Sequence, residues 1–118
     1  MFELIAYVMF LHWFGDFVCQ TRWMADNKSK NLIALTLHVL TYSVVLAVGL
    51  IIFRGSVNNI FKFAIVNFCL HWMTDIITSQ FTKHFYAKQD YHKFFATIGF
   101  DQLMHQIFLL FTIKIFLS

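Results

Sequence analysis

The sequence has no proline, two cysteines and little charge: only 13% of its 118 residues are Asp, Glu, Lys or Arg, against 59% apolar and 19% aromatic. A soluble globular chain carries roughly 25% charged residues, so the composition is that of a membrane protein. Most of the scarce charge lies between apolar runs of roughly 20 residues, the length that spans a bilayer. Cys19 and Cys69 fall inside apolar segments with no CxxC spacing, which leaves a disulfide framework or thiolate metal site without support. Both read as small buried hydrophobes. The net charge is only +3, and the basic residues lie at loop positions rather than in a patch with interleaved aromatics; nucleic-acid binding is excluded on that ground. Small residues are also scarce, and Gly49 by itself offers no close-packing motif between helices. The first apolar run lacks a preceding basic segment and a small-residue cleavage site, so a cleavable signal peptide is not expected.

Four apolar runs remain, at about 2–19, 32–53, 60–79 and 97–117. They predict one all-α domain over residues 1–118: a polytopic membrane protein with a four-transmembrane-helix bundle built as two helical hairpins. Between the runs lie a polar stretch from Gln20 to Asn31 with Trp23 as an interfacial anchor, a short turn from Arg54 to Asn59, and a polar segment from Gln80 to Ala96 with aromatics suited to the interface. The first and third connections carry Arg22, Lys28, Lys30, Lys83, Lys88 and Lys93, against Arg54, Lys62 and Lys114 on the other side. That bias predicts cytoplasmic first and third loops and both termini on the non-cytoplasmic side.

Inside the runs the sequence places ionisable groups that lipid does not tolerate singly. His12-Trp-Phe-Gly-Asp16 in the first run and His71-Trp-Met-Thr-Asp75 in the third share one pattern, and the fourth carries it reversed as Asp101-Gln-Leu-Met-His105. Each is an i, i+4 pair, which a helix turns to one face. The second run has His38 alone, with Ala34 where the fourth has Asp101. The first and third runs travel the same way, so the shared pattern suggests two hairpins related by a pseudo-twofold axis along the membrane normal. The reversed order then layers the fourth run like the others, giving four His (12, 38, 71, 105) beneath three Asp (16, 75, 101) in one leaflet.

A carboxylate at hydrocarbon depth costs several kcal/mol, on the order of what burying any unpaired charge costs, unless it is paired, protonated or bound to a cation. No Lys or Arg lies at this depth to pair with three of them. Metal ligation by His12, Asp16, His38, His71, Asp75, Asp101 and His105 ranks first, ahead of a proton or ion relay and of plain Asp–His hydrogen bonding. Facing helices that carry carboxylates and imidazoles hold two ions in di-metal bundles, so one or two divalent ions are expected, Zn, Mn or Fe rather than Ca. Trp13 and Trp72 are turned about 100° from their histidine neighbours, by the pitch of a helix, and read as packing residues. His84 and His92, in the third connection, read as interfacial.

His-Trp-x-x-Asp, the run Trp23-Met-Ala-Asp-Asn-Lys-Ser-Lys30, His38, and His92-Lys-Phe-Phe leading to Asp101-Gln-x-x-His105 resemble a family of small integral membrane proteins of unknown function found in tailed bacteriophages and bacteria. More distantly, the pattern is similar to proteins described as bacterial membrane-bound metal-dependent hydrolases. The resemblance implies metal chemistry in the bacterial inner membrane. The leading expectation is a hydrolase acting on a lipid or lipid-linked substrate, with Asp16, Asp75 or Asp101 as catalytic carboxylates and Arg22, Lys28, Lys30 and Lys83 near an anionic headgroup. From another class, the same cluster could serve a proton or ion conduit, or a phage-encoded effector that works as a homo-oligomer or on a host membrane protein.

Overall fold

The computed structural model describes residues 1–54 and 56–118. Helix α1 (Phe2–Trp13) continues into a π-helical turn, Phe14–Val18; a short α2 (Arg22–Asn27) follows, then α3 (Leu32–Arg54), α4 (Val57–Ala87) and α5 (Tyr91–Thr112), which ends in a second π-helical turn, Ile113–Leu117. No strand occurs among the described residues. Helix starts fall where side chains can take up free backbone N–H groups. Thr21 accepts from the Met24 N–H at 3.2 Å, Asn31 from Ile33 at 2.8 Å and Asp90 from Lys93 at 3.2 Å. Helix α4 stops at a Schellman turn, in which the Asp90 N–H reaches the Phe85 carbonyl and the Gln89 N–H reaches that of Tyr86, both at 3.0 Å, with Gln89 left-handed at φ 56°.

Two connections differ from expectation. The turn expected over Arg54 to Asn59 includes Gly55, outside the described residues, and α4 already begins at Val57. The segment from Gln80 to Ala96 is mostly helix and not a long connection: α4 runs on to Ala87, α5 starts at Tyr91, and only Lys88 to Asp90 turn. Nothing in Val57–Ala87 is Gly or Pro, so no residue stops the helix before Gln89.

Polarity is arranged inside out. Ala34, Leu35, His38, Val39, Tyr42 and Ser43 face the interior of α3, while Leu37, Leu40, Val44 and Val48 are exposed on its other side. The same holds on α4, where Asn67, His71, Asp75 and Ser79 are buried and Phe61, Ile65, Met73 and Ile77 are exposed. A surface so apolar around buried charge suits lipid and not water. Residues 32–53, 57–87 and 91–117 form three helices long and apolar enough to cross a membrane. Helix α1 with its π turn ends at Val18, somewhat short of the roughly 20 residues a span needs.

Helices α1, α3, α4 and α5 enclose one core that includes Val8, Leu11, Leu46, Leu50, Phe63 and Leu109. Gly49 brings α1 close to α3, since a Cβ there would lie 2.5 Å from Leu11, and the Tyr7 hydroxyl donates to its carbonyl at 2.9 Å. Cross-contacts 7 to 49, 12 to 42 and 16 to 38 set α1 and α3 antiparallel; 67 to 112, 75 to 105 and 78 to 101 do the same for α4 and α5. Cys69, read as buried, is exposed on the outer face, and Cys19 is half-buried. Position 69 is two residues from both Asn67 and His71, hence on the opposite side of α4.

Candidate metal centre

The four helices bring all seven expected ligands into one buried volume. His12, Asp16, His38, His71, Asp75, Asp101 and His105 are each at most 8% exposed. Helix α4 supplies His71 and Asp75 one turn apart, 3.1 Å from Nε2 to Oδ2. Helix α5 supplies Asp101 and His105 at 3.0 Å. His71 and His105 stack across that interface with ring centres 3.8 Å apart and planes 4° from parallel.

Asp16, His38, His71 and Asp75 form one group of donor atoms. His38 Nε2 lies 2.9 Å from Asp16 Oδ1 and 3.3 Å from Asp75 Oδ2; His71 Nε2 lies 3.4 Å and 3.1 Å from the same two oxygens. Two imidazole nitrogens thus alternate with two carboxylate oxygens around a ring. A neutral imidazole Nε2–H has one hydrogen to give, yet each of these nitrogens faces two oxygens. His38 Nε2 makes neither contact at a hydrogen-bonding angle. Four donors around an ion with bonds of about 2.0–2.1 Å stand roughly 3.3 Å apart in a tetrahedron, close to the spacing found. Asp16, Asp101 and His105 form a second group, so Asp16 belongs to both, and either group could hold a metal ion. Asp75 links them again, turning Oδ2 to His38 and His71 and Oδ1 to His105 at 3.0 Å.

His12 stands apart from both groups. Its Nε2 meets Gln102 Oε1 at 2.8 Å and its Nδ1 meets the Tyr42 hydroxyl at 3.2 Å. Gln102 passes the contact on, donating from Nε2 to Asp16 Oδ2 and Asp101 Oδ2, both at 3.1 Å. The local backbone explains the separation. The Cys19 N–H bonds the Phe14 carbonyl five residues back, which widens the turn and carries Asp16 off the face that a regular helix would give it below His12. Gly15 lets this turn lie on α3, where a Cβ would stand 3.3 Å from the Tyr42 Cα and from Val45.

His38 faces Asp16 and Asp75, and Tyr42, one turn further along α3, lies 4.2 Å from the His71 ring centre. Gln102 and Tyr42 were not among the expected site residues. Position 42 carried a signal, since it follows His38 by the same four residues that separate the other pairs. Thr78, three residues after Asp75 on α4, donates to Asp101 Oδ1 at 2.6 Å. Trp13 is exposed, the Trp72 Nε1–H meets Thr36 at 3.2 Å, and His84 and His92 are exposed, so none of these reaches the centre. Among the described residues, no Lys or Arg pairs with Asp16, Asp75 or Asp101.

A cleft of about 240 Å³ reaches the cluster from the side of the first and third connections, lined by Asp16, Asp101 and Gln102 at its inner end and by Gln20, Lys28 and Ser79 further out. It continues into a wider vestibule of about 550 Å³ that shares Ala25, Lys28, Ser79, Thr82 and Phe94. In the other direction Asn67 donates to Thr112 at 2.9 Å, and beyond them the core residues Leu50, Ile60, Phe63 and Ile113 are apolar.

Compared with known families, residues 4–118 match the one described as "Protein of unknown function (DUF3307)". No curated protein and no solved structure matches the chain.

Proposed function

The chain belongs to that family of unknown function, and from the geometry of its centre we propose that it is a membrane-embedded metal-dependent hydrolase acting on a lipid or lipid-linked substrate. The observation that carries the reading is the pair of donor groups sharing Asp16 at the closed end of a cleft. Asp16, His38, His71 and Asp75 would hold one divalent ion, and Asp16, Asp101 and His105 would hold a second where two are bound. Imidazole with carboxylate suits Zn, Mn or Fe. A bound ion supplies Lewis acidity toward a carbonyl or phosphoryl oxygen. With an ion in the first group alone, Asp101 is free of metal; it lines the cleft beside Thr78 and Gln102 and would take the proton of an attacking water. His12 acts by holding Gln102, and through it Asp16 and Asp101.

In this reading α1 with its π turn is a fourth span, α1–α3 and α4–α5 are two hairpins, and the protein sits in the bacterial inner membrane. The six-to-three basic bias puts the cleft at the cytoplasmic face and both termini on the other side. A conduit is disfavoured by the apolar core beyond Asn67 and Thr112, which interrupts any polar path among the described residues. Elemental analysis of detergent-purified protein tests the proposal. Stoichiometric Zn, Mn or Fe, lost together with release of product from lipid on chelation, is expected; metal-free protein that dissipates a proton gradient in liposomes would overturn it.

A further inference from the structure

Two polar atoms in the cleft serve neither the centre nor the fold. The Ser79 hydroxyl is 4% exposed at the residue level and has no hydrogen-bond partner, and Gln20 Oε1 is buried without one. Buried hydroxyls are rarely left so. A helical Ser or Thr usually donates to the carbonyl four residues back, as Thr41, Ser43, Thr74, Thr78, Thr97 and Thr112 all do here. Ser79 does not, and it lines both the cleft and the vestibule.

The vestibule around it is cationic. Lys28, Lys30 and Lys83 line it, and none of them is in an ion pair among the described residues. The one acid in the same wall, Asp26, lies 3.8 Å from Arg22. Gln80 fixes the wall by donating to the Ser29 carbonyl at 2.7 Å, which holds the α2–α3 connection over the end of α4.

We infer that the outer part of the cleft and this vestibule together bind a phosphate-bearing lipid headgroup that also carries a hydroxyl. Phosphate oxygens accept from Ser79 and from the lysine ammonium groups, and Gln20 Oε1, an acceptor, requires a donor that the headgroup hydroxyl provides. A choline headgroup has no such donor and brings its own positive charge. The inference rests on the hydrolase reading and narrows its substrate class to phosphate-bearing lipids whose headgroup carries a hydroxyl.

The test uses full-length protein in nanodiscs of phosphatidylcholine with increasing phosphatidylglycerol, lipid retention being read by native mass spectrometry and metal content on the same samples. Phosphatidylglycerol should be retained at least tenfold more tightly than phosphatidylcholine. Ser79→Ala should weaken that preference about tenfold, the loss expected for one hydrogen bond to a charged group. The double variant Lys28→Gln, Lys83→Gln should remove most of the salt dependence of retention. Both variants should keep their metal, because none of these residues is a ligand. Equal retention of the two lipids, or variants that melt and bind as the wild type does, would overturn the inference. Glycerol 3-phosphate binding as tightly as the lipid would also overturn it, by assigning the subsite to a soluble phosphate. Selective lipid retention by metal-free protein would leave the subsite standing and remove the hydrolase reading.

Discussion

His12-Trp-Phe-Gly-Asp16 and His71-Trp-Met-Thr-Asp75 have the same spacing and different uses. In α4 the helix is regular, and His71 lies 3.1 Å from its own Asp75. In the first copy the π turn parts the two residues: Asp16 goes to His38 and His71, and His12 to Gln102 and Tyr42. The fourth position separates the copies. Gly15 is pressed on the α3 backbone, whereas Thr74 only donates to the Leu70 carbonyl of its own helix at 2.8 Å. A motif's spacing therefore names which residues reach the interior, and the local turn decides whom they meet there.

Asp75 gives the largest expected effect, since it contacts His38, His71 and His105. Asp75→Asn keeps the shape and removes the charge; it should lower metal affinity on the order of 10- to 100-fold and lower the Tm with it, as chelation does in the wild type. Full metal occupancy after dialysis with unchanged melting would contradict its place as a ligand. The two copies are set directly against each other by His71→Ala and His12→Ala. The first should lower metal affinity toward the upper end of that range, as loss of a direct ligand does, and the second about tenfold, its lower end, because His12 acts through Gln102. Equal losses by elemental analysis would put His12 among the direct ligands.

Smaller effects test the turn. Gly15→Ala should destabilise by about 1–2 kcal/mol, because the new methyl meets the Tyr42 backbone, which cannot swing aside; chemical or thermal unfolding in detergent reads this. The matching change in the second copy, Thr74→Ala, should stay within about 0.5 kcal/mol, since a half-exposed hydroxyl bonded to its own helix contributes little. A reversal of that order would mean the π turn has no part in separating the copies.

The inner and outer ends of the cleft differ in how legible they were. The inner end was written in residue type, because Asp and His inside apolar runs have no inexpensive alternative to facing one another. Ser79, by contrast, carries no such signal, being a small polar residue at the end of its apolar run. Its missing partner is visible only in three dimensions, because a serine in a helix is ordinarily satisfied by its own backbone.

Composition and the length of the apolar runs determined that the protein is all-helical and suited to a membrane; the four-residue spacings marked six of the seven side chains that turn inward, and His38 was marked by standing alone in an apolar run. Those outcomes follow from local rules, the helical repeat and the cost of charge in lipid, which act on each segment separately. The tertiary structure decided that His12 is held at one remove by Gln102, that His38 meets Asp16 and Asp75 from two other helices, and that Asp16 joins two donor groups. Each of these depends on how far one helix slides and turns against another. That is set by packing such as Gly15 on Tyr42 and Gly49 on Leu11, contacts between residues tens of positions apart that no single segment encodes.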